Sequence, residues 1–278
     1  MFNSIRVRVG CEFGFNAQAP THSVIQVEPS RTDRGSILQE QWTFTPEAQR
    51  RGYRDQHGNL CQRIDIPAGA FSLRYDATVE VPGGVDDADH SAAEMSPREL
   101  PDEVLIYTLP SRYCLSDELA NEAWRLFGAI TPGWGRVQTI CDHVHNNITF
   151  QQGASSPLTT AVDVHATSVG VCRDFAQLAI TFCRALNIPA RYAFGYMPDL
   201  PSDDSPNDFC AWMEVWLGGR WYTFDPRNNH PRVGRVLIGR GRDALDCAML
   251  TSYGDAALQT MEVWADEVTA DDGPGSPG

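Results

Sequence analysis

Ile5, Val7 and Val9 alternate with Arg6 and Arg8 near the start of the chain, a period of two that sets apolar side chains on one face of a strand. Segments of similar character follow at Ser23 to Val27, Gln41 to Thr45, Phe71 to Val81 and Val104 to Leu109. Polar, Pro and Gly clusters separate them, so residues 1–110 read as an all-β domain, a sandwich. The stretch Pro82 to Asp102, rich in Gly, Asp, Ser and Pro, reads as a long surface loop within it.

The period then lengthens. Ser116-Asp117-Glu118 ahead of Trp124 and Phe127 predicts a capped helix, and Val137, Ile140, Cys141 and Val144 predict a second over Arg136 to Asn147. A third, Val171 to Leu186, is apolar nearly all round, as a buried central helix must be. Asn187 and Pro189 end it, and Ala190 to Tyr196 reads as the strand that follows. The class is α+β: a central helix packed on an antiparallel sheet, preceded by the β sandwich. Residues 111–270 make the second domain, and Asp271 to Gly278, a run of Gly, Pro and Ser, a disordered tail.

Phe209 to Leu217, Gly218-Gly219 and Arg220 to Asp225 spell a hairpin with a two-residue turn. Its register puts Leu217 opposite Arg220, Trp212 opposite Asp225 and Cys210 opposite Arg227. Ala211, Met213, Val215, Leu217, Tyr222 and Phe224 then share an apolar face, and Cys210, Trp212, Glu214, Trp216, Trp221, Thr223 and Asp225 the other. Cys210 and Asp225 become diagonal neighbours on one face.

Cys172, in Gly170-Val171-Cys172-Arg173-Asp174-Phe175, falls on the first turn of the buried helix. Unpaired backbone N–H groups and the positive end of the helix dipole favour a thiolate there, and so a nucleophile. A nucleophile, a base and an orienting carboxylate must converge for acyl chemistry, and the hairpin offers Cys210 and Asp225 to that point.

The net charge of −14 without a Lys/Arg cluster argues against nucleic acid and against an anionic membrane surface. The first residues lack the layout of a signal peptide, and no apolar run approaches the length of about 18 residues that a membrane span needs. Eight cysteines scattered without CxxC pairs suit reduced thiols, so a cytoplasmic protein is the expectation.

The strings GVCRDFAQLAITFCRALNIPARYAFGY and DFCAWMEVWLGGRWYTFDPRNN resemble the core of the bacterial transglutaminase-like superfamily, and the β region ahead of them resembles its N-terminal domain. The resemblance covers nearly the whole chain. It implies a papain/transglutaminase-like fold and a cysteine protease, amidase or acyl-transferase acting on a peptide or protein substrate through a thioester, with no cofactor and no metal. In the family's order of Cys, His and Asp, Cys172 matches the nucleophile and Asp225 the orienting acid, but Cys210 stands where His is expected. A cysteine does not shuttle protons near neutral pH as an imidazole does, and that service is worth about 10²–10⁴-fold.

Two outcomes follow for that site: an enzyme with an atypical triad of Cys172, Cys210 and Asp225, or an impaired one that binds a peptide or protein in the same cleft. His230 is the first candidate for a relocated base because it follows the strand of Asp225, and His165 the second. The two thiols could alternatively form a disulfide or join a zinc site. Trp212, facing Asp225, is expected to shield the site and contact substrate. Arg232, Arg235, Arg240 and Arg242 are expected to pair with carboxylates, with substrate binding as the alternative.

Overall fold

A computed structural model describes residues 4–31, 35–198 and 208–268. The tail expected at 271–278 lies outside them. The first half runs β1 (Ser4–Ala17), β2 (Thr21–Ile25), β3 (Ser36–Thr45), β4 (Arg50–Arg54), β5 (Leu60–Ile66), β6 (Gly69–Pro82) and α1 (Asp102–Leu105). Then come α2 (Ala120–Phe127), α3 (Trp134–Asn147), β7 (Thr149–Phe150), α4 (Ala161–Thr167), β8 (Val169–Gly170) and α5 (Cys172–Ala185). β9 (Ala190–Tyr196), β10 (Cys210–Leu217), β11 (Arg220–Phe224), β12 (Val236–Gly241), β13 (Leu250–Ser252) and β14 (Ala256–Val268) complete the order.

Alternation along β1 buries Val7, Val9, Cys11, Phe13 and Phe15. This strand is flanked on both sides, in a sheet of order β14-β1-β6-β3, and a second four-stranded sheet runs β13-β2-β5-β4. Ile25, Ile64 and Ile66 of the second sheet join the β1 and β6 side chains in one core. The strands expected at 5–9, 23–27, 41–45 and 71–81 are present, each as part of a longer or slightly shifted element. Residues 250–268 also belong to these sheets, since β14 pairs with β1 and β13 with β2.

One expected strand is helical. Val104 to Leu109 lies in α1 and a 3-10 turn over Ile106–Thr108. Pro101 precedes it, and Asp102 and Glu103 fill the first turn, where carboxylates meet the positive end of the backbone dipole. α2 also starts later than expected, with Leu119 and not Ser116 at its N-cap.

α5 buries its whole circumference, including Phe175, Leu178, Ile180 and Phe182. It packs against β9 and β10 and against α2, α3 and α4. The third sheet, β11-β10-β9-β12, therefore has α5 on one face. The hairpin register is as predicted from Leu217 opposite Arg220 to Met213 opposite Phe224, where the ladder ends, short of the expected pairs Trp212–Asp225 and Cys210–Arg227. Gly218 and Gly219 both have positive φ, 56° and 87°, which a turn of this kind demands. Ala211, Met213, Val215, Tyr222 and Phe224 join the main core, while Cys210 and Trp212 form a separate apolar cluster with Ala193, Met197 and Leu237.

Candidate active site

The start of α5 explains the sequence around Cys172. Asp174, fully buried, turns back so that its Oδ2 accepts from the Val171 N–H at 2.8 Å. Ser155 also donates to this carboxylate, at 3.1 Å. A Cβ on Gly170 would stand 2.8 Å from the Asp174 Cβ, so glycine is needed for the close approach. Cys172 follows directly at the first helical position. All eight cysteines are free, and seven are buried; Cys172 is the one partly open to solvent.

Its thiol donates to the Phe209 carbonyl at 3.6 Å. Burial of the sulfur pushes the thiol up to about 11, and the Asp208 carboxylate adds to the rise. Arg227 and the backbone N–H groups of Ala211 and Arg173 act in the opposite direction without cancelling it. A helix start alone does not make this thiol acidic. Phe209 immediately precedes β10 and Ala211 is its second residue, so strand and helix start meet at the sulfur.

Cys210 is buried, and desolvation, then the neighbouring Cys172, raises its thiol well above the ordinary value. Asp225 adds to that rise, so the three residues named from sequence do gather. Asp225, however, already has partners. Its side chain is 1% exposed. It accepts from the Asn228 N–H at 3.0 Å, the Asn228 amide at 2.9 Å and an Arg235 Nη at 2.9 Å. Burial alone would raise its pKa, but Arg235 and Asn228 outweigh that and hold it below the ordinary 3.8. Arg235 in turn reaches Asp86 at 3.0 Å and lies 4.9 Å from the Trp212 ring centroid.

His230 points elsewhere. Its Nδ1 bonds with the Asn228 carbonyl at 2.8 Å, and it lines a cavity of about 60 Å³ beside Asp225 whose lining does not include Cys172. His165 lies against Phe182, with Nε2 3.9 Å from Glu122. Among the described residues no group of three or more His, Cys, Asp or Glu side chains is placed to hold a metal ion. The zinc alternative finds no donor set there. The expected pairing of the arginine segment is present: Arg235 with Asp86 and Asp225, Arg240 with Glu214, and Arg242 with Asp246. Asp208 and Asp86 were not singled out from the sequence, and Arg227, which also acts on the thiol, was placed only as the residue opposite Cys210. The pairing of Asp86 with Arg235 could not be read from its surface-loop composition. Asp208 sits two residues before Cys210 and had a positional signal.

A sequence profile of the transglutaminase-like superfamily matches residues 124–226, from α2 through Asp225. A provisionally named cysteine protease from Cytophaga hutchinsonii, of known crystal structure, is 33% identical, with a TM-score of 0.88 over 99% of this chain and 95% of that one. The chain belongs to the transglutaminase-like superfamily. An uncharacterized protein of Mycobacterium tuberculosis, Rv2569c, is 27% identical over 86% of this chain and 84% of its own length. The transglutaminase-like core thus holds Cys172, Cys210 and Asp225 within the matched span, with the β sheets described above at its side. No helix among the described residues is long and apolar enough to cross a membrane.

Proposed function

We propose that this transglutaminase-like protein is a cysteine hydrolase or acyl transferase that acts on an amide or peptide bond through Cys172. The observation that carries the reading is Cys172 itself, the one cysteine residue that is not fully buried, set at the start of the buried helix while the other seven are buried. The sulfur attacks the carbonyl carbon, a thioester forms as the amine leaves with a proton, and water or an amine then takes the acyl group. Backbone N–H groups at the helix start, that of Cys172 among them, are the candidate donors to the oxyanion. Trp212 shields the site on the Asp225 side, and the protein acts in the cytoplasm on a peptide or protein substrate, with no cofactor.

With Cys210 in place of an imidazole, the proton of Cys172 must leave to solvent. A thiol near 11 is ionised only to about one part in ten thousand at pH 7, so turnover is slow and favours activated acyl donors. Mass spectrometry after exposure to a nitrophenyl acyl ester tests this. The expected result is an acyl adduct on Cys172, absent in Cys172→Ser, forming faster as pH rises toward 11 and faster by about 10²–10⁴ in Cys210→His at pH 7. His230→Ala is expected to leave the rate unchanged. No adduct in either the natural chain or Cys210→His would overturn the proposal.

A second reading has support of its own. The Asp225–Arg235 pair at 2.9 Å occupies the carboxylate that would orient a base, which suits a cleft that binds a peptide or partner protein without turnover. Tight peptide binding together with an inert Cys172 would favour it.

A further inference from the structure

Arg227 stands apart from the arginines that follow it. Arg235 pairs with Asp86 and Asp225, and Arg242 with Asp246. The Arg227 guanidinium lies instead over the Phe150 ring, 3.9 Å from its centroid, and among the described residues it has no hydrogen bond and no ion pair. Its backbone is held separately, with the Arg227 carbonyl bonded to His145 Nδ1 at 2.7 Å. A guanidinium seated flat on an aromatic face keeps the N–H groups of its edge available to an acceptor, and that edge matches a carboxylate in two places at once.

The fold brings this cation to Cys172 from two directions. Phe150 pairs with Gly170 between β7 and β8, and α5 begins with Cys172 two residues later. Arg227 itself comes from the hairpin side, just past β11, whose partner β10 starts at Cys210. Phe150 is 41% exposed, Arg227 is half-buried and Cys172 is the one cysteine residue not fully buried, so the cation stands where the site opens to solvent. Burial dominates the ionisation of Cys172, Cys210 and Asp208, yet Arg227 pulls each of them toward its charged form. Asp208 repels an anion that approaches the sulfur. It does not cancel Arg227, because it stays beyond ion-pair distance and its Oδ1 already accepts from the Phe209 N–H at 2.6 Å.

We propose that Arg227, seated on Phe150, is a specificity-determining residue of the Cys172 site: its guanidinium receives a carboxylate that the substrate carries beside the acyl carbon, so the preferred acyl donors are acidic. The proposal rests on Cys172 as the nucleophile and adds the class of its substrate.

Alkylation of the full chain with iodoacetate and with iodoacetamide at pH 8, followed by mass spectrometry of the Cys172 peptide, tests it without acyl chemistry. Both reagents meet the same thiolate, so thiol ionisation cancels in the ratio of their rates and reception of the carboxylate remains. The iodoacetate-to-iodoacetamide ratio is expected to exceed that of N-acetylcysteinamide, a neutral thiol, by about 10-fold or more, to fall to that reference in Arg227→Gln and to be partly kept in Arg227→Lys. Circular dichroism confirms that each variant is folded; the His145 bond is made to the Arg227 backbone and does not need the side chain. Should Arg227→Gln fail to fold, Phe150→Leu, which removes the ring under the guanidinium, decides by the same fall in ratio. A natural ratio equal to the reference, a ratio unchanged in the folded variant, or no carboxymethyl group on Cys172 would overturn the proposal. The two readings fail separately: no acyl adduct in the nitrophenyl ester experiment ends acyl transfer, whereas acylation without the iodoacetate preference ends the role of Arg227 alone.

Discussion

Cys210 occupies a position where an imidazole would do two things at once: accept a proton and, once charged, hold the neighbouring thiolate. A buried thiol does neither: nothing at Cys210 offsets the burial and the Asp208 carboxylate that raise Cys172 to about 11, and Asp225 bonds with Arg235 and Asn228 instead of with a base. Asp225 makes a prediction of its own. Its folded-state pKa lies below the ordinary 3.8, so the folded chain binds fewer protons there than the unfolded one. The stability it contributes is complete above the ordinary carboxylate range and is lost as pH falls through the folded-state value. Asp225→Asn is therefore expected to lower stability at pH 6 and to shrink the fall between pH 6 and pH 3, because breaking a buried pair costs about 3–5 kcal/mol when a charge is stranded. Urea unfolding at both pH values checks it, and an unchanged difference would show that the pair contributes nothing. Cys172, Cys210 and Asp225 were legible because helix starts and hairpin registers are local rules. The contact of Arg235 with Asp225 was only partly so: the arginine segment announced carboxylate partners, but the irregular turn over 226–235 carries no register from which to say which ones.

At the scale of elements, the hairpin and α5 were the most legible, for opposite reasons: a two-glycine turn fixes β10 against β11, and an all-round apolar helix has only one place to go. Val104 to Leu109 was misread because four apolar residues in a short run fit either period, and the deciding signal was the Pro101-Asp102-Glu103 start. β4 was missed because every residue from Arg50 to Arg54 is exposed, so no burial pattern marks it. β12, which carries Arg240 and follows Arg235 directly, lies so close to β9 that a Cβ on Gly195 would stand 2.0 Å from the Val236 carbonyl oxygen. Gly195→Ala is expected to push the two strands apart and to destabilise the chain by about 1–3 kcal/mol. A thermal melt reads this directly, and a midpoint equal to that of the natural protein would mean that β12 yields without cost.

For the whole molecule, the arrangement of β14 matters most. β1 lies between β6 and β14, and it pairs with β14 from Arg6 to Ala17. Cutting the chain after residue 249 would expose one edge of β1 along its length and strip β13 from β2. Such a truncation is expected to lose cooperative thermal unfolding and to aggregate, as an uncovered long edge invites pairing with other chains. A sharp melt from the truncated protein would show that the first two sheets stand without their last strands. The return of β14 was not apparent from composition, because nothing local in Ala256–Val268 names a partner so far back along the chain.

That pairing also sets a timetable for the protein's own making. Roughly 240 residues separate β1 from β14, and at ribosomal speeds the first strand waits on the order of 10 to 50 s for its neighbour. The helical core, Cys172 included, leaves the ribosome earlier, so the thiol site takes shape while its companion sheet still has an open flank. Throughout that interval the flank of β1 that β14 will cover is an open strand edge, the kind of surface that pairs with other chains.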